Sequence, residues 1–435
     1  MRLRTSYTLH NPPVDFKKQL LRWAGQCAEI VLLDSNGHDQ KYGSYECLLA
    51  IDAFTSLKTD FVSAFDALGQ YQSSTKDWIF GYLTYDLKNG VENLNSGHHD
   101  GLGFPDLYFF QPKKLFLFKQ HEVEILYLNV CSDEMQSDLR DIFATDIHTR
   151  TTETVCRIAQ RISRENYLEK VGKMLDHIHR GDIYEANFCM EFYAENATID
   201  PIDTFEALNA ISKPPFAAFF KNRNHYLLCA SPERYLGKSG TKVISQPIKG
   251  TAKRHPDADT DRAAAAHLRQ DPKERAENIM IVDLVRNDLS KTARKGSVCV
   301  EELCGIYSFP QVHQMISTVT SEWNTQFPII EIIKNSFPMG SMTGAPKISA
   351  MKIIESLEET KRGLYSGAVG YFTPEDDFDF NVVIRSILFN ASDKYLSFSV
   401  GSAITSLSDP EKEYEECLLK AKAMFTVLHA PQAEF

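Results

Sequence analysis

The sequence predicts an α+β protein, and three observations carry that expectation. Over the first ~145 residues, segments rich in β-branched and aromatic side chains alternate with turn-formers, as strands do. Arg164–Arg180 then repeats Tyr167, Val171, Leu175 and Ile178 at helical spacing. Beyond it, strand-like and helix-like stretches follow one another irregularly to a last helix at Pro410–Leu428, without the regular alternation of a βαβ array. In chain order, Trp78–Tyr85 reads as a strand, and Leu107–Leu128 as a hairpin of three pieces: Tyr108–Phe110, Leu115–Phe118 and Val123–Leu128. The polar stretch Asp146–Thr154 interrupts the pattern, so we divide the chain into an N-terminal region, 1–150, and a second domain, 151–435. Gly181-Asp182 ends the Arg164–Arg180 helix, and Ile183–Phe192 has strand character.

A chain of 435 residues has room for two or three domains and a large core. With 43% hydrophobic and 24% charged residues it is neither disordered nor collagen-like. Its net charge of −11 argues against nucleic acid or an anionic membrane as partner, so an anionic ligand needs a local basic cluster or a metal ion. No apolar run is long enough to span a membrane, and Met1–Pro13 lacks the apolar core of a signal peptide. The nine cysteines are scattered singly without a CxxC pair. They read as reduced thiols of a cytoplasmic protein, with neither a disulfide frame nor a zinc site.

Two helical segments place carboxylates where function is expected. Asp271 fits an N-cap and Pro272 the first helical position. In the helix that follows, Glu277 projects into a stripe of Met280, Ile281, Leu284 and Val285, with Asp288 near it and Glu274 at its edge. A carboxylate there is either a boundary residue paired with an arginine or a ligand to something positive. Near the C-terminus, Glu413, Glu416 and Lys420 line a narrow stripe beside Tyr414, Leu418, Ala421 and Phe425. That stripe is either a solvated face with an i,i+4 ion pair or part of a site. Two Glu-x-x-Glu pairs, one beside a lysine, jointly point to a hard cation such as Mg2+.

Lys249 follows the strand-like Lys242–Ser245 in Gln246-Pro-Ile-Lys-Gly-Thr, a loop leaving strand structure. It is either a surface lysine on a turn or, with its pKa lowered by desolvation, a nucleophile. Phe337–Lys347 has the form of an amide-lined anion loop leading into a helix, Ile348–Glu358. Arg362–Tyr371 and Phe380–Arg385 read as strands, and Arg385 would interrupt a core-facing run, which calls for a carboxylate or a ligand. Gly401-Ser-Ala-Ile-Thr405 reads as a strand end that a ligand can approach closely. Together these residues outline a pocket for a small carboxylate-bearing molecule, and spacing alone does not name it.

From about Arg164 onward the ordered motifs resemble the chorismate-utilising enzymes, the anthranilate, aminodeoxychorismate, isochorismate and salicylate synthases. The resemblance rests on Gly181-Asp-Ile-Tyr-Glu-Ala-Asn187, Ser231-Pro-Glu-Arg234, Pro247-Ile-Lys-Gly-Thr251, Glu274–Asp288, Gly344-Ala-Pro-Lys347, Tyr365-Ser-Gly-Ala368 and Glu413–Lys420. It implies an anthranilate synthase component I-like fold, two facing antiparallel sheets flanked by helices in α/β/β/α layers. It further implies Mg2+ held by Glu277 and Glu416, with Glu274 and Glu413 in support, and chorismate bound through its ring carboxylate. Lys249 in Pro-Ile-Lys-Gly-Thr is similar to the branch that makes aminodeoxychorismate, whereas alanine there marks the anthranilate branch, the alternative. Isochorismate and salicylate synthases place a lysine where this chain has Glu185.

By the same resemblance Lys249 is the nucleophile and Glu233 the acid/base. Tyr365 and Arg385 would clasp the enolpyruvyl carboxylate, while Gly250, Thr251, Ser341, Gly401 and Lys420 line the pocket. Leu32-Leu-Asp-Ser35 resembles the family's tryptophan pocket, which makes tryptophan an expected ligand at Leu33 and Ser35. Two positions depart from the family. Gln314 stands at the family's histidine position with His313 one residue off, and Ser341 replaces a threonine. No Gly-x-Cys-x-Gly nucleophile turn is present, so ammonia is expected from a separate glutamine amidotransferase subunit or from free ammonium.

Overall fold

The computed structural model describes residues 3–38, 41–147, 154–310 and 312–429. Its strands form two antiparallel ladders that face each other. The first runs Arg4–His10, Glu122–Leu128, Leu107–Lys119, Cys47–Thr59, Glu29–Asp34, Phe216–Asn222, His225–Ser231, Ser386–Asn390, Tyr395–Thr405 and Glu185–Ala194. The second runs from the start of Leu107–Lys119 through Ile79–Leu83, Ala368–Phe372, Phe378–Val382, Arg234–Ser239, Lys242–Ser245 and Val312–Glu322. Val312–Glu322 also pairs with Ile248–Lys253 and Cys299–Ser308.

Cys47–Thr59 and Leu107–Lys119 belong to both ladders, and a bulge between Ala53 and Thr55 lets the pair bend from one to the other. This corrects the three-piece hairpin. Tyr108–Phe110 and Leu115–Phe118 are one strand, because Pro112 sits opposite the bulge, where it breaks no regular ladder hydrogen bonding.

The inner faces interleave Val31, Leu48, Ala218 and Phe220 with Phe80, Tyr82, Leu236 and Phe380 in one buried cluster. Tyr82 meets Phe220 across the layers with ring centroids 5.1 Å apart. Helices Phe16–Ala24, Arg164–His179 and Pro410–Val427 cover the outside of the first sheet, burying Tyr167, Val171, Met174, Tyr414 and Phe425. Ala64–Thr75, Pro272–Ser290 and Ile329–Ser336 cover the second. The α/β/β/α arrangement is the expected one. Strands of the N-terminal region, Glu29–Asp34 and Ile79–Leu83, pair directly with Phe216–Asn222 and Ala368–Phe372. Most of the boundary at Asp146–Thr154 lies outside the described residues. No helix among the described residues is long and apolar enough to cross a membrane.

The expected helix starts hold. Asp271 accepts hydrogen bonds from the amides of Lys273 and Glu274, Asp409 from those of Glu411 and Lys412, and a proline follows each cap. Other boundaries move. The helix after the glycine loop is Lys347–Leu357, and Phe378–Val382 ends before Arg385, whose φ of 51° belongs to a turn. Of Arg362–Tyr371, Ala368–Tyr371 is strand and Gly363–Ser366 is turn. Lys249 lies not in a loop but in the strand Ile248–Lys253, at a break in register between Ile248 and Thr251.

One buried cation ties these parts together. Arg362 donates to both oxygens of Glu358, at 2.6 and 2.9 Å, to the carbonyl of Met342 at 2.6 Å and to that of Asn187 at 2.7 Å. Arg362→Leu strands a buried carboxylate and is expected to cost about 3–5 kcal/mol. Urea denaturation should show that loss, and Arg362→Leu with Glu358→Leu should recover more than half of it.

Candidate active site

Strand, bulge and two helices bring the ionisable groups together. Lys249 Nζ donates to Glu185 Oε1 at 2.6 Å, with 10% and 1% of their side chains exposed. Glu185 opens the strand Glu185–Ala194, 64 residues from Lys249 in sequence. It is a neighbour that spacing along the chain could not announce. Gly250, at φ +92°, lets this strand approach the Pro272–Ser290 helix, since a β-carbon there would lie 3.0 Å from Glu274 Oε2.

Lys273 joins the two acidic helices, its Nζ 3.4 Å from Glu413 Oε1 and 3.9 Å from Glu277 Oε1. Glu416 is paired with Lys420 at 2.6 Å, with 46% of its side chain exposed, and Lys420 also donates to the Gly401 carbonyl at 2.9 Å. The four glutamates thus gather at the starts of two helices, in contact with lysines. Among the described residues no group of three or more His, Cys, Asp or Glu side chains stands at metal-binding spacing.

Burial pushes Glu277 up to about 7, Glu185 and Glu274 adding to the effect while Lys249 and Lys273 oppose it. Burial also raises Glu274. For Glu416 burial is outweighed by Lys420, which leaves the carboxyl below its ordinary value. Glu233, buried, is pushed up to about 7 by desolvation, against the pull of Ser341, Lys249 and Arg385. Lys249 corrects an expectation. Burial pulls its pKa down, but Glu185, Glu277 and Glu233 outweigh burial and leave it raised, so without a ligand it is an ammonium.

Arg385 has no carboxylate within ion-pair distance among the described residues, and Glu233 is the charge it feels. Glu185 Oε2, Glu277 Oε1 and Gln314 Oε1 are all buried without a hydrogen-bond partner, and Gln314 pairs across the sheet with Thr251. Unmet polar atoms occur elsewhere in the chain as well, but three of them cluster around Lys249, where a polar ligand would satisfy them together. Beside Glu233 and Ser341 lies a cavity of about 20 Å³, room for one water.

Other predicted residues sit differently. Tyr365 is buried and accepts from the Cys189 thiol at 3.9 Å, and no hydrogen bond joins it to Arg385. At Gly401, in mid-strand, the close approach comes from the neighbouring strand, with Cys189 Sγ 2.6 Å from where a β-carbon would be. Lys347 leaves the anion loop for Asp288, at 2.6 Å, and the Ser336 carbonyl. His313 faces Asp261 and Ser308 at 3.0 and 2.8 Å. Leu33 packs against the inter-sheet core, and the Ser35 amide donates to the Glu46 carbonyl at 2.8 Å. A polar cavity lined by Tyr42, Ser44, Arg234, Lys238 and Asp379 lies between the layers, and neither Leu33 nor Ser35 lines it.

The fold and this cleft define a class of enzyme, two facing antiparallel sheets clothed in helices with acids, a lysine and an arginine gathered in one place. Residues 28–426 match the chorismate binding enzyme family, and the chain belongs to that family. It is 32% identical over 367 residues to aminodeoxychorismate synthase component 1 of Bacillus subtilis, spanning 81% of this chain and 77% of that protein. It is also 32% identical over 364 residues to anthranilate synthase component 1 of Thermus thermophilus, spanning 82% and 78%. The crystal structure of anthranilate synthase component I from Streptococcus pneumoniae superposes with a TM-score of 0.77, at 23% identity over 89% of this chain and 94% of that one, a likeness of fold. The protein is an enzyme acting on chorismate.

The raised Glu277 has a consequence for stability. Between its unfolded value of 4.5 and about 7, the folded chain holds a proton that the unfolded chain releases, so stability falls as pH rises through that window. Glu277→Gln removes the loss. In EDTA at pH 8 the variant should be about 3 kcal/mol more stable than the parent, converging with it below pH 4.5. Urea titrations across pH measure the difference.

Proposed function

We propose that this protein is an aminodeoxychorismate synthase component I, converting chorismate and ammonia to 4-amino-4-deoxychorismate for para-aminobenzoate and folate synthesis. The observation that carries the reading is the buried Lys249 amine, held at the centre of the cleft by Glu185. Lys249 gives its extra proton to the Glu185 carboxylate beside it and, as the neutral amine, attacks ring carbon C2 as the C4 hydroxyl departs, with Glu233 giving that hydroxyl its proton. A carboxyl pushed up to about 7 still carries a proton near neutrality, which suits an acid. Ammonia then attacks C4 and expels the lysine, so two successive displacements direct nitrogen to C4. Arg385, without a carboxylate within ion-pair distance among the described residues, would clasp the enolpyruvyl carboxylate together with Tyr365. Gly250, Thr251, Ser341, Gly401 and Lys420 line the substrate.

The all-oxygen donor set and the unmet Glu277 Oε1 suit Mg2+, which Glu277 and Glu416 would hold with Glu274 and Glu413 in support. When bound, Mg2+ would withdraw electron density through the ring carboxylate of the substrate. In this reading 151–435 is the catalytic domain and 1–150 an N-terminal region with a tryptophan pocket at Leu33 and Ser35. The enzyme works in the cytoplasm, with ammonia supplied by a separate glutamine amidotransferase subunit or by free ammonium. The second reading, anthranilate synthase component I, is favoured by the Thermus relative, while Lys249 favours the first.

Incubation with chorismate, ammonium and Mg2+ should yield para-aminobenzoate only after an aminodeoxychorismate lyase is added. Anthranilate fluorescence without lyase overturns the proposal, and EDTA should abolish turnover. Lys249→Ala should lower aminodeoxychorismate formation on the order of 10³-fold. An unchanged rate counts against the covalent route. The kcat profile should fall as pH rises through about 7, and Glu233→Gln should flatten that limb.

A further inference from the structure

Glu185 is 1% exposed, and its two oxygens are in different states. Oε1 accepts from Lys249 at 2.6 Å, whereas Oε2 is buried with no donor at all. A buried carboxylate oxygen without a donor is costly, so a site that keeps one is built for a ligand that donates. Charge points the same way. Lys249 faces Glu185, Glu233 and Glu277, Arg385 faces Glu233, and Lys273 lies beside Glu277 and Glu413. With both acidic helices counted, the carboxylates of Glu185, Glu233, Glu274, Glu277, Glu413 and Glu416 outnumber the cations Lys249, Lys273, Arg385 and Lys420.

A second Mg2+ at Oε2 is disfavoured, because the Lys249 ammonium already occupies the same carboxylate. A small monovalent N–H donor fits better.

We propose that Glu185 Oε2 is the docking point for ammonium, the nitrogen co-substrate, and that one carboxylate thereby aligns both nitrogen nucleophiles, the Lys249 amine on Oε1 and ammonia on Oε2. The inference rests on the aminating reaction proposed above. Once Glu185 has released the Lys249 proton to water, one N–H bond of the docked ammonium breaks and an O–H bond forms on Oε2. The products are neutral ammonia with a free lone pair and a protonated carboxyl, and no further co-reactant is needed.

The test compares Glu185→Gln with the parent, following chorismate consumption so that the identity of the product does not matter, with ammonium chloride and chorismate varied in turn. The Glu185→Gln variant should show an ammonium KM raised at least tenfold and a chorismate KM within twofold. An ammonium KM within twofold of the parent, the result if Oε2 holds only water, overturns the proposal. So does a parallel rise in both constants. Should Glu185→Gln not turn over, Glu185→Asp, which keeps a carboxylate but draws it back, should raise the ammonium KM at least threefold above the parent's, while a KM equal to the parent's overturns the assignment. Without turnover, the parent should broaden the ¹⁵N line of ammonium chloride more than Glu185→Gln does, and equal broadening also overturns it. Anthranilate as the parent's product would sink the aminodeoxychorismate reading and leave the Glu185 comparison standing.

Discussion

The Lys249 amine sits in a largely enclosed place where carboxylates approach from three directions. Glu185 comes from a strand of the first sheet, Glu233 from the turn after His225–Ser231, and Glu277 from the Pro272–Ser290 helix. Burial alone would drive the amine neutral and the carboxyls protonated. The groups offset one another unequally, so the lysine stays charged while two glutamates rise to about 7. The cleft is therefore poised, with more acid than base and several polar atoms unmet, which is the condition under which an anionic substrate arriving with cations is stabilised rather than repelled.

The remainder of the fold keeps those groups from relaxing apart. The two facing sheets are joined by strands long enough to serve both, and their inner faces are locked by aromatic packing such as Tyr82 on Phe220. The register break at Gly250 turns Lys249 towards the acids and admits Glu274 close to the backbone. Asp271 and Asp409 each start a helix at the cleft, and Lys273 links the two helices through Glu413 and Glu277. Arg362 fastens Asn187, two residues after Glu185, to the Met342 turn beside Ser341. Each part of the pocket hangs from a different element, and a chain with an overall charge of −11 can hold an anion there because the local arrangement differs from the average.

Much of this was legible from local pattern. Periodicity located the Arg164–His179 helix, and the Asp-Pro pairs located the starts of two others, since caps and first-turn prolines act within a few residues. The Glu-x-x-Glu spacing, one helical turn, singled out the four acids that the structure gathers. Patterning failed where a long strand crosses between sheets, so Leu107–Lys119 looked like two. It failed also at Lys249, where a bulge resembles a loop. Arg385 and Tyr365 looked like strand residues because the turns that hold them are apolar and enclosed.

From the sequence alone came the α+β class, the family resemblance, the helix starts and the residue types able to do the chemistry, because these depend on neighbours within a turn or two of chain. Tertiary structure decided which charges meet. Glu185 and Lys249 are 64 residues apart, Lys273 and Glu413 are 140 apart, and His313 turns away while Gln314 turns inward. Whether the lysine is charged, and which carboxyl keeps its proton, follows from burial and from distances of a few ångströms. Those distances exist once two sheets and their helices have closed around the cleft.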